Sequence, residues 1–103
     1  MNLSDQGIEL YKQEVCELTS LFHSEWKEMR NILTKKIDVE DSLLCFFVEG
    51  VEDDYGIILT KDNELYEFEI MDGKLNNIVK QKKAIRTEVP QVDVALQLQK
   101  EKF

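Results

Sequence analysis

Residues 64–82 read ELYEFEIMDGKLNNIVKQK, with an Asp-Gly pair near the middle. Before the Asp-Gly pair at positions 72 and 73, apolar side chains alternate with charged ones. Alternation with a period of two is typical of a strand, and Asp-Gly is a preferred two-residue hairpin turn. The stretch therefore predicts two antiparallel strands, at about 64–71 and 75–82. The spacing of apolar residues after the turn also suits a helix, so the second strand is the less certain of the two.

Two more strands are predicted upstream, at about 42–49 and 55–60, with turns at Glu52-Asp53 and Asp62-Asn63. If each turn has two loop residues, opposed residues have a constant sum of numbers and the register follows. The result is an antiparallel meander with a continuous apolar face. This face holds Leu44, Phe46, Val48, Tyr55, Ile57, Leu59, Tyr66, Phe68, Ile70, Leu75 and Val79.

A long helix is predicted over about 5–35, because apolar residues recur there at steps of three or four. At ~1.5 Å per residue it would be about 46 Å long, against about 27 Å for strands of eight residues. The excess stripe packs on the terminal helix, packs on a second copy of the chain, or is lost because the helix breaks near Thr19 and Ser20. The dimer interpretation assigns the interface to Leu18, Phe22, Trp26 and Met29.

The C-terminal segment is predicted as a short helix at about 90–101. Pro90 suits a first helical position, and good helix formers follow it. A period-two pattern in the same residues leaves a strand open. Together these elements make residues 1–103 a single α+β domain. A long N-terminal helix packs on a three- to four-stranded antiparallel meander, and a short C-terminal helix follows.

Negative charge is concentrated in the middle of the chain. Residues 38–72 contain twelve acidic residues and one base, Lys61, and the whole chain has a net charge of -8. These acids are either a solvated surface or a docking surface for a basic protein, because a single-sign surface steers oppositely charged partners. The candidate partner-binding acids are Glu49, Glu52, Asp53, Asp54, Glu64, Glu67 and Glu69.

The predicted register leaves a second sheet face that is also partly apolar. Its apolar residues are Leu43, Cys45, Phe47, Ile58, Leu65 and Ile78. The C-terminal helix covers this face, or a partner does, because monomers rarely leave such patches open. In the second case Phe47 and Ile58 are the expected anchors of the interface.

No motif in the sequence indicates catalysis, a cofactor or a metal. His23 is the single histidine and has no matched nucleophile, and the four glycines are too isolated to form a phosphate-binding loop. The acids around Asp53 and Asp62 lack the alternating spacing of a calcium loop. We therefore expect a protein that is not an enzyme and needs neither cofactor nor metal.

Nucleic acids and membranes are poor candidate partners. The net charge of -8 repels nucleic acid. A basic run is formed by Lys80, Lys82, Lys83 and Arg86, but few aromatic residues lie near it in the sequence. No segment approaches the ~20 apolar residues that a membrane span needs. Cys16 and Cys45 lie in apolar stretches and are expected to be buried free thiols, which fits a cytoplasmic protein.

The layout is similar in outline to small immunity proteins that neutralise bacterial toxins, and also to dimeric secretion chaperones. This similarity is one of architecture and charge, without a shared motif. It favours an inhibitor or immunity-type protein that docks a basic partner surface. The alternative is a homodimeric adaptor that binds through apolar helix or sheet surface.

Overall fold

The computed structural model describes residues 5–81 and 90–102. It confirms the α+β class, the four antiparallel strands and the C-terminal helix. Position 82 of the predicted last strand, with the basic residues Lys83 and Arg86, lies outside the described residues. The elements are α1 (Asp5–Ser24), α2 (Lys27–Thr34), β1 (Leu43–Glu49), β2 (Asp53–Leu59), β3 (Leu65–Met71), β4 (Lys74–Lys80) and α3 (Pro90–Lys102).

The predicted helix over 5–35 is two helices, because the chain leaves helical geometry at Glu25 and Trp26. The Ser24 hydroxyl donates to the Ser20 carbonyl at 2.6 Å, a local bond that competes with the helical ladder and bends helices. The amides of Glu25 and Trp26 both donate to the Leu21 carbonyl, at 2.8 and 3.0 Å. Trp26 then has φ -90° and ψ 58°, which ends α1.

The overhang expected of a straight helix is therefore absent from the described chain. The fold measures 39 × 29 × 27 Å, shorter than the roughly 46 Å of an unbroken thirty-residue helix. Of the three alternatives considered for the apolar stripe, two are observed: the helix breaks, and the first half of α1 packs on the terminal helix. The break falls about five residues later than the predicted position near Thr19 and Ser20.

The sheet has the order β1-β2-β3-β4, with every neighbouring pair antiparallel. Asp72 and Gly73 form the predicted two-residue turn, with φ of 52° and 73° and with Met71 paired to Lys74. The first turn lies one residue earlier than predicted, because the Gly50 amide donates to the Asp53 carbonyl at 2.8 Å and encloses Val51 and Glu52.

The middle turn differs from the prediction in length, and this difference changes the register of β2 and β3. The Thr60 amide donates to the Glu64 carbonyl at 2.9 Å, so the loop has three residues, and the third, Asn63, has φ 65°. A third loop residue moves the pairing by one, and Leu59 faces Leu65 instead of the predicted Tyr66. Because a one-residue shift exchanges the two faces of a strand, the predicted faces of β3 are reversed relative to β2. Two further register irregularities move Leu44 to the groove face and return Ile78 and Val79 to their predicted faces.

Two apolar clusters result, one on each sheet face. The first face, called here the groove face, packs under α2 and the C-terminal part of α1; its fully buried members include Phe22, Leu33, Leu44, Ile58 and Phe68. The other face packs under α3 and the first half of α1. Its buried members are Val15, Cys45, Ile57, Leu59, Leu65, Val92, Val94 and Ala95. The C-terminal helix therefore covers one sheet face, but mainly the face of Ile57 and Leu59 that was predicted to lie under the long helix, whereas Phe47, Ile58 and Ile78 of the predicted second face lie on the groove face.

Close packing reinforces the observed register. Gly56 lies opposite Phe68 in the β2–β3 pair, and the Phe68 ring occupies the space that a Cβ at Gly56 would fill. At the edge of β1, the Leu44 amide donates to the Thr19 hydroxyl at 3.0 Å, which ties α1 to the strand. The register and the helix position are thus fixed by contacts that binary patterning does not display.

The two cysteines differ in exposure, so the prediction that both are buried was wrong for one of them. Cys16 lies on the exposed side of α1, while Cys45 is fully buried between β1, β2 and α3. Burial raises the pKa of the Cys45 thiol to about 12. Since the thiolate is the reactive form, Cys45 should be inert at neutral and mildly alkaline pH.

This contrast predicts the result of thiol labelling at pH 8 in the folded chain. Iodoacetamide should add one group, at Cys16, and a second only in denaturant, when Cys45 loses its buried surroundings. Intact mass and peptide mapping give the count and the position. A Cys16→Ser variant is the control and should gain no group when folded; rapid labelling of Cys45 in that variant contradicts the observed packing of α3.

Candidate functional site

A groove of about 420 Å³ lies between the start of α2 and the ends of the first three strands. Its walls come from the helix break on one side and from the groove face of the sheet on the other. It is lined by Glu25, Trp26, Lys27, Glu28, Met29, Ile32, Phe47, Glu49, Asp54, Ile70 and Gly73. This set combines an apolar floor with charged groups at the margin.

Aromatic and aliphatic side chains form the floor. The Trp26 and Phe47 rings lie with their centroids 5.2 Å apart and their planes inclined at 45°. Met29 and Ile32 follow Trp26 at successive steps of three, which places them on the same side of α2. All four side chains are half-buried, so part of each ring and chain remains accessible to a ligand.

Carboxylates form most of the margin. Glu49 and Asp54 face each other directly across the β1–β2 ladder, and Glu25 and Glu28 approach from the helical side. Among the described residues that line the groove, Lys27 is the one cation. Like charges directly opposite each other in a sheet destabilise it, and none of the ion pairs between described residues involves Glu49 or Asp54. The groove therefore has an excess of uncompensated negative charge.

Another of the predicted binding acids, Glu64, is paired within the chain. Glu64 forms an ion pair with Lys80 at 2.7 Å and accepts a hydrogen bond from the Tyr66 hydroxyl at 2.9 Å. Lys80 first, and Tyr66 second, hold the pKa of Glu64 below its usual value. Lys61, the base of the acidic segment, pairs with Asp38 at 3.3 Å and with Glu40 at 3.8 Å. Glu64 is consequently a poor candidate for partner contact.

Glu67, Glu69 and Asp53 lie on the sheet face opposite the groove. Burial, then the nearby charges of Glu67 and Glu69, raise the pKa of Tyr55 on the same face. This end of the face also has exposed apolar side chains, Val48, Met71 and Val79, which are 47%, 36% and 44% accessible. Glu52 is exposed in the β1–β2 turn. The seven predicted acids thus divide among several surfaces, and only Glu49 and Asp54 line the groove.

The two predicted apolar anchors, Phe47 and Ile58, differ in exposure. Ile58 is fully buried in the core of the groove face, so its predicted exposure to a partner was wrong. Phe47 lies on the same face and lines the groove, where it meets Trp26. The slip at the middle turn explains neither position, since both residues precede β3; they were assigned to the uncovered face because the long helix was placed on the other one.

The residues predicted for a dimer interface are used in the chain's own fold. Phe22 is fully buried in the cluster of the groove face, which contradicts its assignment to an interface. Leu18, Trp26 and Met29 pack against the same cluster and are half-buried. The helix break directs this stripe back onto the sheet. Of the four residues, Trp26 and Met29 line the groove.

Sequence reasoning missed Glu25, Glu28 and Ile32 as groove residues. They reach the site only because α2 changes direction after Glu25, and a straight helix does not bring them there. A signal for the break exists in the weak helix formers Thr19, Ser20, His23 and Ser24. The position of the break within that run depends on tertiary packing.

The described part of the chain gives little support for a metal site or a membrane-spanning helix. The ranges 5–81 and 90–102 contain no group of His, Cys, Asp and Glu side chains arranged to hold a metal. Nor does any described helix combine the length and apolar character required to cross a membrane. His23 Nε2 lies 2.8 Å from the Ser42 carbonyl oxygen, which can only accept, so the ring donates there and links α1 to the start of β1.

Comparison with protein-family models, with curated proteins and with solved structures found no match to this chain. Functional inference therefore depends on the groove and on the distribution of charge around it.

The two acid–tyrosine groupings predict selective changes in tyrosine pKa. Burial first, and Glu64 next, raise the pKa of Tyr66, while Glu67 and Glu69 act on Tyr55. Glu64→Gln should lower the pKa of Tyr66 and leave Tyr55 unchanged, and Glu67→Gln should do the reverse. Ring-carbon NMR shifts followed through alkaline pH measure both values. Equal responses of the two tyrosines to either substitution contradict the assignment of these acids to separate surfaces.

Proposed function

We propose that this chain is a non-enzymatic protein-binding module whose groove docks a basic segment of a partner protein. One observation carries the proposal: an accessible floor containing Trp26 and Phe47 is bordered by the uncompensated pair Glu49 and Asp54. Aromatic side chains provide much of the binding energy of protein interfaces, and surrounding charge sets the partner and the rate of association.

The charge of the chain favours a basic protein over other classes of ligand. A net charge of -8 attracts cationic surfaces and repels the phosphates of nucleic acids. A groove of about 420 Å³ is also within the size range of pockets that hold a few side chains or a small ligand. Its apolar floor suits the aliphatic or aromatic part of a partner side chain, and its margin suits a positive charge.

An inhibitor or immunity-type role follows most simply from this arrangement. Basic sites are common where proteins bind nucleic acids or phosphates, and an acidic protein that covers such a site blocks it. A module of this kind needs no chemistry of its own, since occupancy alone inhibits. This role is compatible with a cytoplasmic location, because nucleic acids and phosphates, the ligands of such basic sites, are present there.

A second candidate is a homodimeric adaptor that associates through the open end of the other sheet face. Exposed Val48, Met71 and Val79 support it, since exposed apolar groups on a sheet are candidates for burial by a partner. Solution mass across a concentration series separates the candidates. A dimer weakened by Val79→Asp favours the adaptor, whereas a monomer throughout removes its homodimeric form.

The main proposal predicts the outcome of quantitative affinity capture from the native cell. The bait carrying Glu49→Gln and Asp54→Asn should lose a basic partner that the unmodified chain retains. Loss of two desolvated charge contacts should weaken binding by about 2–5 kcal/mol, which removes most of the captured protein. Mass spectrometry identifies the partner and measures its recovery.

A matched control is the bait with Glu67→Gln and Glu69→Gln, which removes the same charge from the opposite sheet face. It should retain the partner. If both double variants lose the partner equally, overall charge decides binding and the groove has no special role. If neither loses it, the proposal fails.

A further inference from the structure

The partner's chemistry can be specified further, in an inference that rests on the proposed function. We infer that the groove binds an arginine side chain, presented by a basic segment of the partner, between the Trp26–Phe47 pair and the carboxylates of Glu49 and Asp54. Three features of the groove lead to this choice: its aromatic pair, its facing carboxylates and its charge.

The aromatic pair offers a surface for a planar cation. A guanidinium stacks on an aromatic face through cation–π attraction and through dispersion, and tryptophan is the strongest partner for it. The inclination of 45° between Trp26 and Phe47 leaves the two rings splayed, without the closed face-to-face stack that excludes a third group. Both rings are half-buried, so each retains an accessible part that lines the groove.

The facing carboxylates provide the polar half of the site. Glu49 and Asp54 are cross-strand neighbours, so their side chains leave the same face of the sheet at the same level. Their mutual repulsion in the free chain is relieved when a cation lies between them. A guanidinium has five N–H donors in a fixed planar fork, and it can donate to two carboxylates while one face lies against a ring.

These features favour arginine over lysine. An ammonium is compact and strongly hydrated, so it gains less from an aromatic surface and loses more on desolvation. Both cations gain equally from long-range attraction to the acidic chain. A preference for arginine at equal charge therefore isolates the contribution of the groove itself.

A second copy of the chain is a poor occupant of the groove because it is itself acidic. Each copy carries a net charge of -8, and the groove margin has four carboxylates against Lys27. Docking of one copy in the groove of another brings two acidic surfaces together. The basic partner avoids that repulsion.

The test uses the full chain and two synthetic probes, the amidated peptides Gly-Arg-Gly-Arg-Gly and Gly-Lys-Gly-Lys-Gly, at one fixed low ionic strength. Trp26 is the single tryptophan of the chain, so its fluorescence reports occupancy of the groove directly. The arginine peptide should bind about fivefold more tightly than the lysine peptide, the upper end of the effect expected for cation–π contact at an exposed site. Glu49→Gln with Asp54→Asn should weaken arginine binding by about tenfold, and Glu67→Gln with Glu69→Gln by less than about twofold.

A second variant keeps the test independent of small changes in folding. Trp26→Leu retains an apolar side chain, and backbone NMR shifts in β3 and β4 report whether its sheet is intact. With the sheet intact, it should reduce the arginine preference to near unity, as read from the amide shifts of Glu49 and Asp54.

Three results overturn the inference: equal affinity for the two peptides, no response of Trp26, or equal weakening by both double variants. Self-association of the chain that disappears in the Glu49→Gln and Asp54→Asn variant also overturns it. Failure here is separable from failure of the proposed function. If a groove-dependent partner is captured but the peptides bind equally, the protein-binding function stands and the arginine assignment falls.

Discussion

The break between α1 and α2 determines how the two helices cover the sheet and where the groove forms. At Glu25 and Trp26 the chain leaves helical geometry, with two amides converging on the Leu21 carbonyl and the Ser24 hydroxyl bonded to Ser20. Without this break the helix exceeds the length of the sheet, and its last two turns have no surface to cover. With it, α2 packs on the groove face, and Leu33 becomes a fully buried core residue.

The same break creates the candidate site. Trp26 occupies the position between the helices, where it is held against Phe47 and not enclosed by a regular helical turn. Glu25 and Glu28 then lie on the opposite side of the groove from Glu49 and Asp54. A local feature of the backbone thus brings together an aromatic pair from distant parts of the chain and acids from both sides. The site is a product of how the helices fit the sheet.

Sequence reasoning succeeded where local patterns decide the structure. The alternation around Asp72-Gly73 predicts the hairpin and its turn, and Pro90 predicts the start of α3. Sequence reasoning failed where one additional loop residue changes the register of a strand pair. Nothing in the Thr60–Glu64 segment alone distinguishes a two-residue loop from the observed three-residue loop that ends at Asn63, yet that difference reverses the faces of β3 relative to β2.

The candidate site was predictable in part. Charge counting found the acidic segment and included Glu49 and Asp54, but it could not separate them from Glu64, which Lys80 neutralises, or from Glu67 and Glu69 on the other face. Trp26 and Met29 were recognised as important apolar residues and assigned to a dimer, because a straight helix leaves them without a surface. Exposure and partner identity depend on tertiary structure, which binary patterns do not contain.

In the proposed function, a basic partner docks on the groove and not on the opposite sheet face. Chemical-shift mapping of the isotopically labelled chain, bound to its captured partner, tests this most directly. Docking on the groove should give large changes at the Trp26 indole and at the amides of Phe47, Glu49 and Asp54, with those of Glu67, Glu69 and Val79 nearly unchanged. Changes centred on Glu67, Glu69 and Val79, with the Trp26 indole undisturbed, contradict it.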